Sequence, residues 1–134
     1  MSADFSELRV KMVDGQVRTT DVTSAPLLDA MLVIPREMFV GAAQRDLAYI
    51  DEDIRIAAGA DGARYLMEAS PLAKLIQLAE INPTDSALDV GCGTGYASAI
   101  LSRLARSVVA LESDSALAVS ASAESLSSAT TDLA

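Results

Sequence analysis

The stretch ALDVGCGTGYASAILSRLARSVVALESD, residues 87–114, decides how this chain folds. Its first four residues, Ala87 to Val90, form a short apolar run bounded by turn signals, which reads as a buried strand. Glycine stands at 91, 93 and 95, Tyr96 to Leu104 has helical spacing, and Ser107 to Glu112 is a second, β-branched strand. Strand, glycine turn, helix and strand make a βαβ unit. Glycines at its first turn tolerate positive φ and, lacking Cβ atoms, let a ligand approach the backbone and the helix N-terminus.

Glu112 lies 21 positions after Gly91, at the end of the second strand, where a carboxylate can accept hydrogen bonds from both hydroxyls of a ribose. The dinucleotide pattern G-x-G-x-x-G requires Gly or Ala at position 96, and Tyr96 there argues against a nicotinamide-dependent oxidoreductase. Asp89, two residues before Gly91, suits the ammonium group of a cofactor with an amino-acid moiety and no phosphates. S-adenosylmethionine fits this set, with its ribose on Glu112 and its amino-acid end on Asp89 and the backbone at Gly91, Gly93 and Gly95. The plainer alternatives are a tight strand-to-helix turn without a ligand, and an Asp89 that only ties down the turn by accepting backbone N–H bonds.

Working outward, "PLAKLIQLAEI" from Pro71 carries an apolar helical stripe of Leu72, Leu75, Ile76 and Ala79, with Ser70 as its cap. "AAGADGARY", Ala57 to Tyr65, has the small residues and glycines of a hinge. Upstream, "TSAPLLDAMLVIP" predicts a helix capped by Thr23 or Ser24, with Pro26 in its first turn and Pro35 as its stop. Leu8 to Val17 reads as a helix interrupted by Gly15, "REMFVG" as one helical turn, and "RDLAYIDED" as an irregular connection. Met12, Met31 and Met38 are expected as core filler, and Asp51 to Asp53 as a solvated turn. After Glu112, the Ala/Ser-rich end predicts a helix followed by a frayed tail.

The 134 residues, 51% apolar and 22% charged, suit one domain: an N-terminal helical region over 1–64 and a helix plus βαβα unit over 65–134. Net charge is −9 with scattered Lys and Arg, which disfavours nucleic acid as a partner. Asp29 and Arg36 interrupt the greasiest segment, no apolar run reaches about 18 residues, and the N-terminus lacks a signal pattern, so no membrane association and a cytoplasmic location are expected. Cys92 is the only cysteine and histidine is absent, which removes internal disulfides, Cys/His metal sites and imidazole-based triads. No metal site is expected, and Cys92 is assigned no role, although a partly exposed thiol at a helix N-terminus can be reactive.

"LDVGCGTGY" followed by "LES" resembles the cofactor motif of class I S-adenosylmethionine-dependent methyltransferases. "MVDGQVRTTDVTSAPLLDAMLVIPREMFV" and "RDLAYIDED" resemble the N-terminal region of the protein-L-isoaspartate O-methyltransferases, and the likeness runs from about Lys11 to Leu126. It implies a Rossmann-like, doubly wound α/β fold, of which N-terminal helices and the start of the sheet are present, incomplete relative to the seven-stranded methyltransferase fold. It also implies S-adenosyl-L-methionine as cofactor and an isoaspartyl-containing protein or peptide as substrate, methylated on its free carboxylate as the first step of protein repair. A carboxylate is already ionised at neutral pH, so such a reaction needs alignment more than a general base.

The chain departs from that family in two places. Where the family carries Thr-Ile-Ser-x-Pro, this chain has Tyr65-Leu66-Met67-Glu68-Ala69, and no catalytic acid, base or nucleophile is assigned. Only the first two sheet strands are expected before the tail, so the chain reads as part of a larger fold or as one that pairs with another copy to cover an open sheet edge. The competing reading is a non-catalytic S-adenosylmethionine-binding or interaction module derived from the same family.

Overall fold

Residues 4–57, 62–125 and 131–133 are described in a computed structural model of the chain. Asp4 opens the first helix, α1 (Phe5–Met12), by accepting the backbone N–H groups of Ser6 and Glu7. The helix thus begins three residues before Leu8. Gly15 does not interrupt it: the chain runs on through a π-helical turn, Val13–Val17, and a 3₁₀ turn, Arg18–Thr20, and leaves at Asp21 with φ +66°.

Helix α2 (Ala25–Val33) has Pro26 in its first turn, but neither Thr23 nor Ser24 caps it with a side chain. The Gln77 side chain does so from helix α3 (Ala69–Leu78): its oxygen accepts from Thr23 N at 2.8 Å and Ser24 N at 3.0 Å, while its nitrogen donates to Asp21 O. Ser70, expected as the cap of α3, instead lies inside that helix, which Glu68 precedes as cap residue, and its hydroxyl donates to Thr20 Oγ1. The buried stripe of α3 is Ala69, Leu72, Ala73 and Ile76, whereas Leu75 is 56% exposed. Leu75 is one position off the inward line because α3 meets α2 and the π turn along a narrower face than the sequence suggests.

The expected N-terminal helical region contains a strand. β1 (Ile54–Ala57) pairs antiparallel with β2 (Arg64–Leu66), Ile54 opposite Leu66, so Ala57, Arg64 and Tyr65 of the expected hinge are strand residues; 58–61 lie outside the described residues. The signal was the alternation Ile54-Arg55-Ile56 before a glycine-bearing connection.

β3 (Ser86–Val90), helix α4 (Tyr96–Ser102), β4 (Ser107–Leu111) and helix α5 (Ser115–Ser125) follow in the predicted order. The tail is not simply frayed: β5 (Thr131–Leu133) pairs parallel with β4, giving a three-stranded parallel sheet in the order β3-β4-β5. β3 and β4 run in register from Ser86↔Ser107 to Val90↔Leu111. α4 packs against all three strands. The expected burial of β3 holds on neither of its outward positions: Leu88 is 61% and Val90 72% exposed, on the same face as the adjacent Val109, because α4 covers the opposite face. Met12 and Met31 are core residues, whereas Met38 is 40% exposed.

The core joins the two parts through Tyr96, the residue that follows the glycine turn. It is fully buried, edge-on to Phe39 with ring centroids 5.5 Å apart, and the Arg36 guanidinium lies over it at 4.8 Å. Arg36, itself fully buried, donates through Nε to Ala48 O at 2.6 Å and through Nη2 to Met67 O at 3.0 Å. The Tyr96 hydroxyl, beside this cation, makes no hydrogen bond of normal geometry among the described residues. Its ring rather than its oxygen therefore holds the structure. In chemical denaturation, Tyr96→Phe is expected to change stability by less than about 1 kcal/mol and Tyr96→Ala to cost about 3–5 kcal/mol.

Candidate functional site

The parallel strands β3 and β4 end side by side, and the chain leaves both ends to form a crevice. Such a crevice beyond the carboxyl ends of parallel strands is where α/β folds bind ligands. Gly91 N and Cys92 N donate to Leu111 O at 2.7 and 3.0 Å, fastening the glycine turn to the end of β4. Gly91, Gly93 and Gly95 have φ of +72°, +61° and +95°, conformations that side-chain-bearing residues rarely adopt. A Cβ on Gly93 would lie 2.9 Å from Ile56 Cδ1, and one on Gly95 would lie 3.3 Å from Ala121 Cβ on α5. These glycines are needed by the fold itself as well as by any ligand that approaches the loop.

Two clefts flank the turn. One, of about 620 Å³, lies between the strand ends and is lined by Arg64, Val90, Gly91, Leu111, Glu112 and Ser113. The other, of about 220 Å³, runs from Asp89, Gly91 and Gly93 to Tyr65, Leu66 and Met67 on and beside β2. Arg64 and Gly91 line both. All five residues predicted from sequence are thus brought together: Asp89, Gly91 and Gly93 at the second cleft, Gly91 and Glu112 at the first, and Gly95 as the residue from which α4 starts.

Asp89 does not tie the turn through backbone N–H groups. Among the described residues it accepts one bond, from Ser98 Oγ at 2.7 Å, and its pKa is raised, first by burial and further by the nearby Glu112. A half-buried carboxylate with acceptor capacity to spare suits a cationic partner. Glu112 is held differently. Its Oε1 accepts from Arg64 Nη2 at 2.6 Å and Gly93 N at 2.8 Å, and its Oε2 from Arg64 Nη1 at 3.0 Å and Asp114 N at 2.9 Å. Its side chain is completely covered, and the bidentate Arg64, helped by the two backbone donors, lowers its pKa to about 2.

Sequence reasoning missed Arg64, 48 positions before Glu112 and on a strand it did not predict. It also missed Thr94, whose hydroxyl donates to Phe39 O at 2.7 Å and pins the buried middle of the glycine turn to the segment after α2. Cys92 is buried, and desolvation raises its thiol pKa to about 11, the opposite of a thiol activated by a helix N-terminus. Among the described residues, no acidic, cysteine or histidine cluster suits a metal ion, and no helix is long and apolar enough to cross a membrane.

Residues 8–132 match the family described as protein-L-isoaspartate(D-aspartate) O-methyltransferase (PCMT). Curated relatives named protein-L-isoaspartate O-methyltransferase include one from Roseiflexus castenholzii, 38% identical over 90% of this chain and 53% of its own length. Another, from Methylorubrum extorquens, is 36% identical over 90% of this chain and 51% of its own. The chain spans about half the length of the curated relatives it matches. A solved protein-L-isoaspartate O-methyltransferase superimposes with a TM-score of 0.82 at 22% identity, covering 94% of this chain and 41% of that one. A Plasmodium falciparum protein, whose structure is a complex with S-adenosyl-L-homocysteine, superimposes with a TM-score of 0.72 at 16% identity, covering 99% of this chain and 63% of that one. At these identities the two superpositions establish the methyltransferase fold.

The pKa of Glu112 makes a prediction about stability. A carboxyl whose folded pKa lies below its ordinary 4.5 stabilises the fold above pH 4.5 and loses that contribution as pH falls through about 2. Asp89, shifted upward, contributes with the opposite sign. Denaturant titrations between pH 6 and about pH 2 are therefore expected to show a steeper acid loss in the parent chain than in Glu112→Gln, the difference being confined to that window.

Proposed function

Because the chain belongs to the protein-L-isoaspartate(D-aspartate) O-methyltransferase family, we propose that it binds S-adenosyl-L-methionine at the glycine turn and serves methyl transfer to the carboxylate of an isoaspartyl residue in a protein or peptide. The observation that carries this reading is the pair of carboxylates at the carboxyl ends of adjacent parallel strands, Asp89 and Glu112, on either side of a turn with three positive-φ glycines. Glu112 has the charge and the position to accept the two ribose hydroxyls once a present partner makes room, and Asp89, half-buried and bonded among the described residues to Ser98 Oγ alone, suits the ammonium group. The absence of a Cβ at Gly91 leaves its backbone open toward the clefts, whereas the side of Gly93 where a Cβ would project is filled by Ile56. These residues fit the cofactor on chemistry: two anionic acceptors for a diol and a cation, with Tyr96 where a dinucleotide site has Gly or Ala.

When bound, S-adenosyl-L-methionine supplies a sulfonium methyl group that a carboxylate can attack directly. The acceptor is ionised at neutral pH without help, so the chain needs no general base, and the absence of histidine is no obstacle. The work left to the protein is to align the two reactants and to exclude water between them. Tyr65, Leu66 and Met67 form much of one wall of the second cleft, at the positions that align with the family's hydroxyl-bearing segment, and Tyr65 and Thr94 are its hydroxyl-bearing lining residues, the Thr94 hydroxyl being bonded to Phe39 O.

The test is calorimetric titration with S-adenosyl-L-homocysteine, followed by a radiolabelled methyl-transfer assay on an isoaspartyl peptide. Binding with a defined stoichiometry, weakened roughly tenfold or more by Asp89→Asn and by Glu112→Gln, is expected. Label on the isoaspartyl peptide, absent from its aspartyl counterpart, is expected in the second assay; absence of any binding would overturn the reading.

A further inference from the structure

Glu112 cannot serve a ribose as it stands. A carboxylate has about four acceptor positions, and all four are engaged: two by Arg64, one by Gly93 N and one by Asp114 N. The two backbone donors are fixed by the glycine turn and by the chain entering α5, so a diol can gain room only where Arg64 gives way. Arg64 is suited to do so. Its side chain is about one-third exposed, and it starts the short strand β2.

The guanidinium also lies at the boundary of the two clefts. Its Nη2 is 3.4 Å from Gly91 O and would be 3.8 Å from a Cβ on Gly91, and among the described residues Arg64 is the only cationic side chain lining either cleft. An α-amino acid carries its ammonium and carboxylate on one carbon. With the ammonium at Asp89, the carboxylate would lie within reach of the Arg64 guanidinium, which lines the same small cleft and can hold it by a charge-assisted hydrogen bond.

Resting on the cofactor reading above, we propose that Arg64 is a specificity-determining residue that exchanges partners on binding: it yields Glu112 to the ribose hydroxyls and takes the α-carboxylate of the cofactor's amino-acid moiety. One side chain thereby couples the two ends of the ligand. A nucleoside without a carboxylate must break the Arg64–Glu112 pair and receives no replacement for it, whereas the complete cofactor exchanges one charge-assisted pair for another. Discrimination against adenosine and its short thioethers follows from the same exchange.

The test uses two probes that differ only in the carboxylate, S-adenosyl-L-homocysteine and its decarboxylated analogue, titrated into the full chain and into Arg64→Ala and Arg64→Lys. The parent is expected to prefer the carboxylated probe. Arg64→Ala is expected to shrink that preference roughly ten- to a hundredfold, while binding the decarboxylated probe more tightly than the parent does. Arg64→Lys, which keeps the charge but not the planar fork, is expected to restore part of the preference, and its melting temperature controls for folding. An unchanged preference in Arg64→Ala, or weaker binding of the decarboxylated probe by that variant, would overturn the proposal while leaving the cofactor reading intact. Failure of the parent to bind either probe would overturn the cofactor reading itself.

Discussion

A buried cation stacked on a buried ring fixes where the glycine turn sits. Arg36 and Tyr96 are both without solvent exposure, and they come from the two parts of the chain that sequence analysis separates. Arg36 compensates in part for the loss of water through the carbonyls of Ala48 and Met67 and the face of Tyr96, with no ion pair to a carboxylate among the described residues. The contact therefore ties three segments at once: the turn after α2, the end of β2 and the start of α4. Thr94, bonded to Phe39 O, adds a second fastening two residues away. A turn with three residues at positive φ has little stability of its own, and these two contacts give it a defined position above the strands.

A second group of polar residues holds α1 in place. Arg9 donates to Glu37 at 3.0 Å and to the Tyr49 hydroxyl at 2.9 Å, and that hydroxyl donates in turn to Glu37. Glu37 is the residue after Arg36, so successive side chains of one 3₁₀ turn reach in opposite directions, one to α1 and the other to the glycine turn. Glu37 is met by Arg9 and the Tyr49 hydroxyl, whereas Arg36 is bonded through Nε and Nη2 and its buried Nη1 has no hydrogen-bond partner among the described residues. Among the described residues, Leu88, Val90 and Val109 are exposed together on the sheet face opposite α4.

The candidate site divides in the same way between residues that local sequence reveals and residues that it hides. Asp89, Gly91, Gly93, Gly95 and Glu112 were legible because a βαβ unit converts sequence spacing into spatial order: a strand, a turn and a helix of normal length return the chain to a parallel neighbour. Tyr96 was legible only as a negative, an obstacle to dinucleotide binding; its positive role is packing against Arg36 and Phe39. The partner of Glu112 was not legible at all. Nothing in the local composition around Arg64 distinguishes it from the other scattered basic residues, and it reaches the site because β2 pairs with β1 and brings it past Gly91.

By itself, then, the sequence determined the order of strands and helices from Ser86 to Ser125, the glycine turn and the two carboxylates, since periodicity and spacing act over a few residues and need no distant partner. Tertiary structure decided what meets those groups: Gln77 rather than Ser24 capping α2, Ser70 bonded to Thr20 rather than capping α3, β5 joining the sheet, and Arg64 occupying both oxygens of Glu112. Each of these joins groups far apart along the chain, and the free energy that selects one such partner over another comes from burial and geometry that exist only once the elements have packed.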